Sequence, residues 1–265
     1  MPPARKRTRS YDPAKIRAAV SAQFGNVREA VRALDDEQLA LPSGLGDWTV
    51  RELAVHVTMT VEAVSRALDR DEPRKAELSL VDLLFGSAGF AEAIADGVRR
   101  LAAGTPDLDA LFARTEERLA EHLAAAPGTR VVDLRAGAMT LADFLVTRTV
   151  ELVVHTDDLN RAVPGLDIPR DRQALAACTR LLADALALKA PGASTEVRIP
   201  PFAVVQCVEG PRHTRGTPPN VVETDPLTWI RLATGRIAWR TAVDEAKVSA
   251  SGERADLSGL LPLMK

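Results

Sequence analysis

The sequence predicts an α+β chain, with an antiparallel four-helix-type bundle over residues 12–166 and a small α+β domain over residues 167–265. Two patterns carry this reading. Long segments with apolar residues at helical spacing, joined by short connections, fill the first part, and short β-branched runs gather after Pro191-Gly192. The length of 265 residues agrees with two modest domains, at about 150 residues each. Residues 1–11, with Arg5, Lys6, Arg7 and Arg9, are expected to be a solvated, flexible tail.

Asp12-Pro13 sets an N-cap and a proline at the first helical position, after which Ile16, Val20, Phe24, Val27 and Val31 mark a helix to about residue 34. Pro42, Gly44 and Gly46 then form a turn. Thr49 with Glu52 three residues on is a capping box, and opens a helix whose stripe is Val50, Leu53, Val57, Val61, Val64 and Leu68. Further helices are expected over 80–102 and 108–125. A short strand follows at 130–132, and Thr140 with Asp143 opens a long helix that stops at Pro164-Gly165. The second part reads as a helix over 170–189, strands at 196–199, 203–208, 221–223 and 247–250, a helix from Asp225-Pro226 to about residue 234, and a short closing helix at 257–260.

Composition removes several classes of function. Lys and Arg number 34 against 36 Asp and Glu, for a net charge of −2, and aromatic residues are 4%. Neither a field for nucleic acid nor a base-stacking platform follows from this, so no nucleic-acid partner is expected. No basic-then-apolar leader and no apolar run near the ~20 residues of a bilayer span occurs, so no membrane partner is expected and the chain reads as cytoplasmic. Cys178 and Cys207 read as reduced thiols. The chain contains no nucleotide-binding glycine motif, and no Gly-x-Ser-x-Gly follows a predicted strand.

One constellation has chemistry attached. Glu151 and His155 lie four apart in the long helix and project from one face, while His56 lies on the flank of the Val50/Val57/Val64 stripe with Thr49 and Thr60. Two imidazoles and a carboxylate supply three metal ligands with a position left open, and Asp158 stands where it can hold the other ring nitrogen of His155. The same residues also fit a plain His–Glu pair bridged by Arg148, a polar layer without metal. Trp48 reads as a staple on the first turn of its helix, Trp229 and Trp239 as core of the second domain, and His122 and His213 as solvated.

The segment Gly46-Asp47-Trp48-Thr49-Val50-Arg51-Glu52-Leu53-Ala54-Val55-His56, followed by Glu151-Leu152-Val153-Val154-His155-Thr156-Asp157-Asp158-Leu159, resembles the N-terminal domain of mycothiol-dependent maleylpyruvate isomerases, members of the DinB-like metalloenzymes. The resemblance implies a zinc-type divalent metal on His56, Glu151 and His155, mycothiol as thiol cosubstrate, and a small-molecule substrate. The second part, through Thr224-Asp225-Pro226-Leu227-Thr228-Trp229-Ile230-Arg231-Leu232-Ala233-Thr234-Gly235-Arg236, resembles a sterol-carrier-type domain. From the isomerases, Arg236 carries over as the catalytic arginine that meets an anionic substrate. Its ordinary role is to neutralise a helix C-terminus. Ile237-Ala238-Trp239 and the stretch 215–219 depart towards the sterol-carrier branch. The resemblance therefore implies a thiol-using isomerase or transferase on an electrophilic, anionic substrate. A metal-dependent hydrolase and a non-catalytic sterol-carrier-type binding protein remain the alternatives.

Overall fold

Asp12 accepts hydrogen bonds from the N–H groups of Ala14 and Lys15, and with Pro13 in the first turn α1 runs over Pro13–Arg32. The computed structural model describes residues 9–210 and 219–264. A single turn, α2 (Asp36–Leu39), is closed by an Asp35/Gln38 capping box that the sequence reading passes over. The Thr49/Glu52 box opens α3 (Val50–Leu68) as expected.

The helix expected over 80–102 is divided. α4 (Leu80–Gly86) and α5 (Ala91–Ala103) are separated by a 3-10 turn at Ser87–Phe90. Gly86 and Gly89 weaken helix propagation there, and the break lets α4 pack on α7 while α5 packs on α3. α6 (Leu108–Ala125) follows, then an antiparallel hairpin of β1 (Val131–Leu134) and β2 (Gly137–Thr140), of which only the first strand is expected from sequence. Gly137 has φ 131°, a conformation that side chains rarely adopt, and a Cβ there would also crowd Leu78 Cγ at 3.1 Å.

α7 (Leu141–Ala162) is capped by Thr140, which accepts from the Asp143 N–H. α1 packs on α6 and α7, and α3 packs on the same two helices, so the four form a ring in the order α1, α7, α3, α6. The middle of α7 is buried on nearly every side, between these helices and α8 (Arg172–Lys189).

Beyond α8 the sheet has the order β4-β3-β5-β6, formed by β3 (Thr195–Ile199), β4 (Ala203–Cys207), β5 (Val221–Thr224) and β6 (Val248–Ser251). β3 runs antiparallel to β4 and parallel to β5, and β5 is antiparallel to β6. Alternate residues Val197, Ile199, Val205, Cys207 and Val222 turn inward and are buried. α8 covers β4 and separates the sheet from the bundle.

α9 (Pro226–Ala233) is capped by Asp225, and α10 (Trp239–Asp244) is a turn and a half that the sequence reading misses. The closing helix expected at 257–260 is instead a single turn. Leu260 and Leu261 both donate to the Leu257 carbonyl, at 2.9 and 3.2 Å, and Pro262 has no N–H to extend it.

Arg9 is exposed and donates from Nε and Nη2 to Asp184 at 2.9 and 3.1 Å. Arg5, Lys6 and Arg7, together with His213 and most of the 215–219 stretch, lie outside the described residues. Among the described residues no helix is long and apolar enough to cross a membrane.

The C-terminal part is joined to the bundle through Asp157 of α7. Its oxygens accept from Arg231 Nε and Nη2 at 2.8 and 2.7 Å and from Arg170 Nη2 at 2.9 Å. Removing one side of a buried ion pair costs about 3–5 kcal/mol, because the other side is left uncompensated. Asp157→Ala is accordingly expected to lower stability by about that amount in urea unfolding, whereas Glu29→Gln in the exposed Arg32–Glu29 pair shifts it by less than about 0.5 kcal/mol. Equal effects from the two changes would contradict this account.

Candidate metal centre

Because α3 and α7 are neighbours in the ring, His56 meets the face of α7 that carries Glu151 and His155. Glu151 Oε2 lies 3.6 Å from His56 Nε2 and 3.4 Å from His155 Nε2. The two rings stand edge to face with centroids 4.7 Å apart. These gaps are long for hydrogen bonds, which centre near 2.9 Å. They match the roughly 3.4 Å that separates ligand atoms arranged tetrahedrally about a cation at 2.0–2.2 Å. One ligand atom from each of the three residues falls within 4.8 Å of the others. A nitrogen, nitrogen, oxygen donor set of this kind fits a zinc-type cation and leaves a coordination position unfilled by protein.

The surroundings set the charge of each group. Burial opposes charge on His155, but Asp158 and Glu151 outweigh it and push its pKa up to about 9. Burial lowers the pKa of His56, with Glu151 only partly opposing, and His56 Nδ1 is buried without a hydrogen-bond partner. Burial also works against ionisation of Glu151, yet His155, His56 and Arg148 hold its carboxyl well below the ordinary range. Asp158, against the same burial, is held at about 2 by His155 and Arg236.

Asp158 is the hinge between the halves of the site. Its Oδ2 lies 3.0 Å from His155 Nδ1, the contact anticipated from the spacing. Its other side is taken by Arg236, whose Nε and Nη2 donate to Oδ1 and Oδ2 at 3.1 and 2.8 Å. Arg236 is aimed by the end of α9. Gly235, with φ 74°, lets the Arg236 N–H return to the Arg231 carbonyl at 2.7 Å and its own N–H to that of Leu232 at 3.3 Å, a Schellman closure. The closure sets Arg231 and Arg236 side by side, one on Asp157 and one on Asp158. The fork assigned by resemblance to a substrate anion is therefore engaged by Asp158, and Arg236 Nη1 donates to the Thr234 carbonyl at 2.8 Å. Arg236 and Asp158 line a concavity with Ser43, Gly44 and Arg161, whose lining includes none of the three ligand residues.

His56 and Glu151 instead open onto a separate cavity of about 230 Å³ between α3, α4, α5 and α7. Arg148, weighed from sequence as a bridge to Glu151, forms no ion pair with it. Its Nε and Nη2 approach Thr147 Oγ1 at 3.2 Å. Trp48 stands beside the site, with its ring centroid 5.2 Å from that of His56. Nothing in the local pattern signals this, because the two residues meet across the first turns of α3. His122 is partly exposed, and its Nε2 lies 2.8 Å from Oδ1 of the exposed Asp69. Trp229 is core as expected, whereas Trp239 is only partly buried. Cys178 and Cys207 are both buried.

Comparison with known proteins adds three findings. Residues 20–160 match the family model described as mycothiol maleylpyruvate isomerase N-terminal domain, and residues 171–263 match that described as bacterial SCP ortholog. Two crystal structures of mycothiol-dependent maleylpyruvate isomerase are similar in fold. One is a histidine-to-alanine mutant, with TM-score 0.59, and the other has TM-score 0.58; both are 16% identical and cover 93% of this chain and 95% of their own. No curated protein sequence matches the chain.

The His155–Asp158 contact sets a pH dependence in the metal-free protein. With a pKa near 6.5 unfolded and about 9 folded, His155 contributes stability that is complete below 6.5 and disappears as pH rises through 9. Urea unfolding in the presence of chelator is expected to show that decline, and Asp158→Asn to flatten it. A pH-independent wild type over this range would overturn the assignment.

Proposed function

This chain belongs to the family of the mycothiol maleylpyruvate isomerase N-terminal domain, and on that premise we propose that it is a divalent-metal enzyme using a low-molecular-weight thiol, mycothiol, as cosubstrate in an isomerisation or transfer on a small electrophilic anion. The observation that carries this reading is the convergence of His56, Glu151 and His155, the first two of which line a cavity. Bound there, a zinc-type cation would lower the pKa of a coordinated thiol and supply thiolate at neutral pH.

The chain's own residues would do the rest. Glu151 remains ionised and supplies a negative oxygen between the two rings. Asp158 holds His155 by Nδ1 and leaves Nε2 directed at the centre. Arg236 acts on His155 through Asp158, as a positioning residue for the ligand. The apolar wall of the cavity excludes water from the reacting sulfur. A sterol-carrier-type role for the second part is less well supported, because the inner face of its sheet is filled by Val197, Ile199, Val205 and Val222, with Trp229 buried nearby.

Cobalt titration of protein purified without a histidine tag tests the reading. The wild type is expected to bind cobalt and to change its visible spectrum when mycothiol is added. His56→Ala and Glu151→Gln are expected to lose metal while keeping their helical circular dichroism. Conversion of a small unsaturated carboxylic acid only when thiol is present would separate the isomerase from a hydrolase, and wild-type protein that takes up no metal would sink the proposal.

A further inference from the structure

Arg148 stands one turn before Glu151 on α7 and faces the same cavity. Its neighbours among the arginines of this region are matched to carboxylates: Arg170 and Arg231 to Asp157, and Arg236 to Asp158. Arg148 is not. Among the described residues its guanidinium makes no ion pair, and its acceptors are neutral oxygens: Thr147 Oγ1 at 3.2 Å and the Thr60 carbonyl at 3.5 Å. The guanidinium lies over the Phe144 ring, 4.7 Å from its centroid. Five N–H donors in a rigid fork are more than these two oxygens can satisfy. Glu151 is near enough to be felt electrostatically, but its carboxylate is turned to the two histidines.

The remainder of the cavity is mostly hydrocarbon, with Thr60 and Thr147 also in its lining. Met59, Leu84, Phe90, Ile94 and Met264 supply most of the wall, and a second cation, Arg66, lies exposed at the rim, where water screens it. A volume of about 230 Å³ accommodates about eight water-sized groups, the scale of a small organic acid.

We propose that Arg148 is the specificity-determining residue of this site, receiving the carboxylate of a small monocarboxylic acid whose unsaturated, apolar body lies along Met59, Leu84, Phe90, Ile94 and Met264. The carboxylate completes a fork that the protein leaves partly unsatisfied, and the hydrocarbon wall disfavours a second charge on the same molecule. The ligand would thereby present its double bond beside His56 and Glu151. This inference rests on the proposed function only for what happens next at that double bond; the binding itself requires neither metal nor thiol.

Isothermal titration of the full chain with trans-cinnamate, cinnamamide and fumarate, with and without chelator, tests it. Cinnamate is expected to bind, and cinnamamide about 10- to 100-fold more weakly, the range for a charge-assisted hydrogen bond. Fumarate is expected to bind more weakly than cinnamate. Arg148→Gln should abolish the preference for cinnamate over cinnamamide, Arg148→Lys should keep part of it, and Arg66→Gln should leave it intact. Equal binding of acid and amide by the wild type overturns the proposal without recourse to any variant, as does a preference that survives in folded Arg148→Gln. Tighter binding of fumarate overturns the choice of a monocarboxylate. Charge-selective binding through Arg148 in a protein without thiol-dependent turnover would refute the proposed function alone. Turnover of neutral electrophiles unaffected by Arg148→Gln would refute this inference alone.

Discussion

Two consecutive carboxylates, Asp157 and Asp158, are buried in the middle of the molecule on α7, and the arrangement of both halves follows from the need to neutralise them. A buried carboxylate without a partner is costly enough that the fold must bring one. Arg231 and Arg236 come from the two ends of one Schellman turn, five residues apart in the chain and adjacent in space. The helix end that sets their spacing therefore docks the second half on the bundle.

The charges form an ordered row along α7. From the cavity inward they run Arg148, Glu151, His155 and Asp158, and Arg236 closes the row from the other half. Each inner member has an opposite charge beside it, which is why Glu151 and Asp158 stay ionised and His155 accepts a proton despite burial. The row couples docking of the second half to the orientation of a histidine in the candidate centre. Only its cavity end lacks a carboxylate from the protein, and that end opens where a small molecule can enter.

α7 can carry such a row because it is enclosed. Its apolar residues, Leu145, Val146, Leu152, Val153 and Leu159, are buried against α1, α3 and α8 on different sides, so its middle turns have little solvent face, in contrast to its end, where Arg161 is exposed. The polar side chains of those middle turns are therefore internal. Thr156 donates to the Leu152 carbonyl and accepts from Gln23 of α1, a further polar contact satisfied within the core.

Local chemistry was legible in the sequence: the Asp12-Pro13 start, the Thr49/Glu52 box, the Thr140 cap, the glycine stop at Gly235 and the projection of Glu151 with His155 from one face all depend on residues within a turn of each other. The resemblance placed His56 with them. The division of the helix over 80–102 and the collapse of the 257–260 helix to a turn were not legible, since Gly86 and Gly89 weaken a helix without ending it, and whether it breaks depends on what α4 and α5 pack against. The partners of the arginines were decided only by tertiary structure. Arg148 and Arg236 carry the same charge and the same five donors, yet one lies on a carboxylate 78 positions away and the other on neutral oxygens, because the site of burial of an ion is set by the packing of whole helices and leaves no mark on the residues beside it.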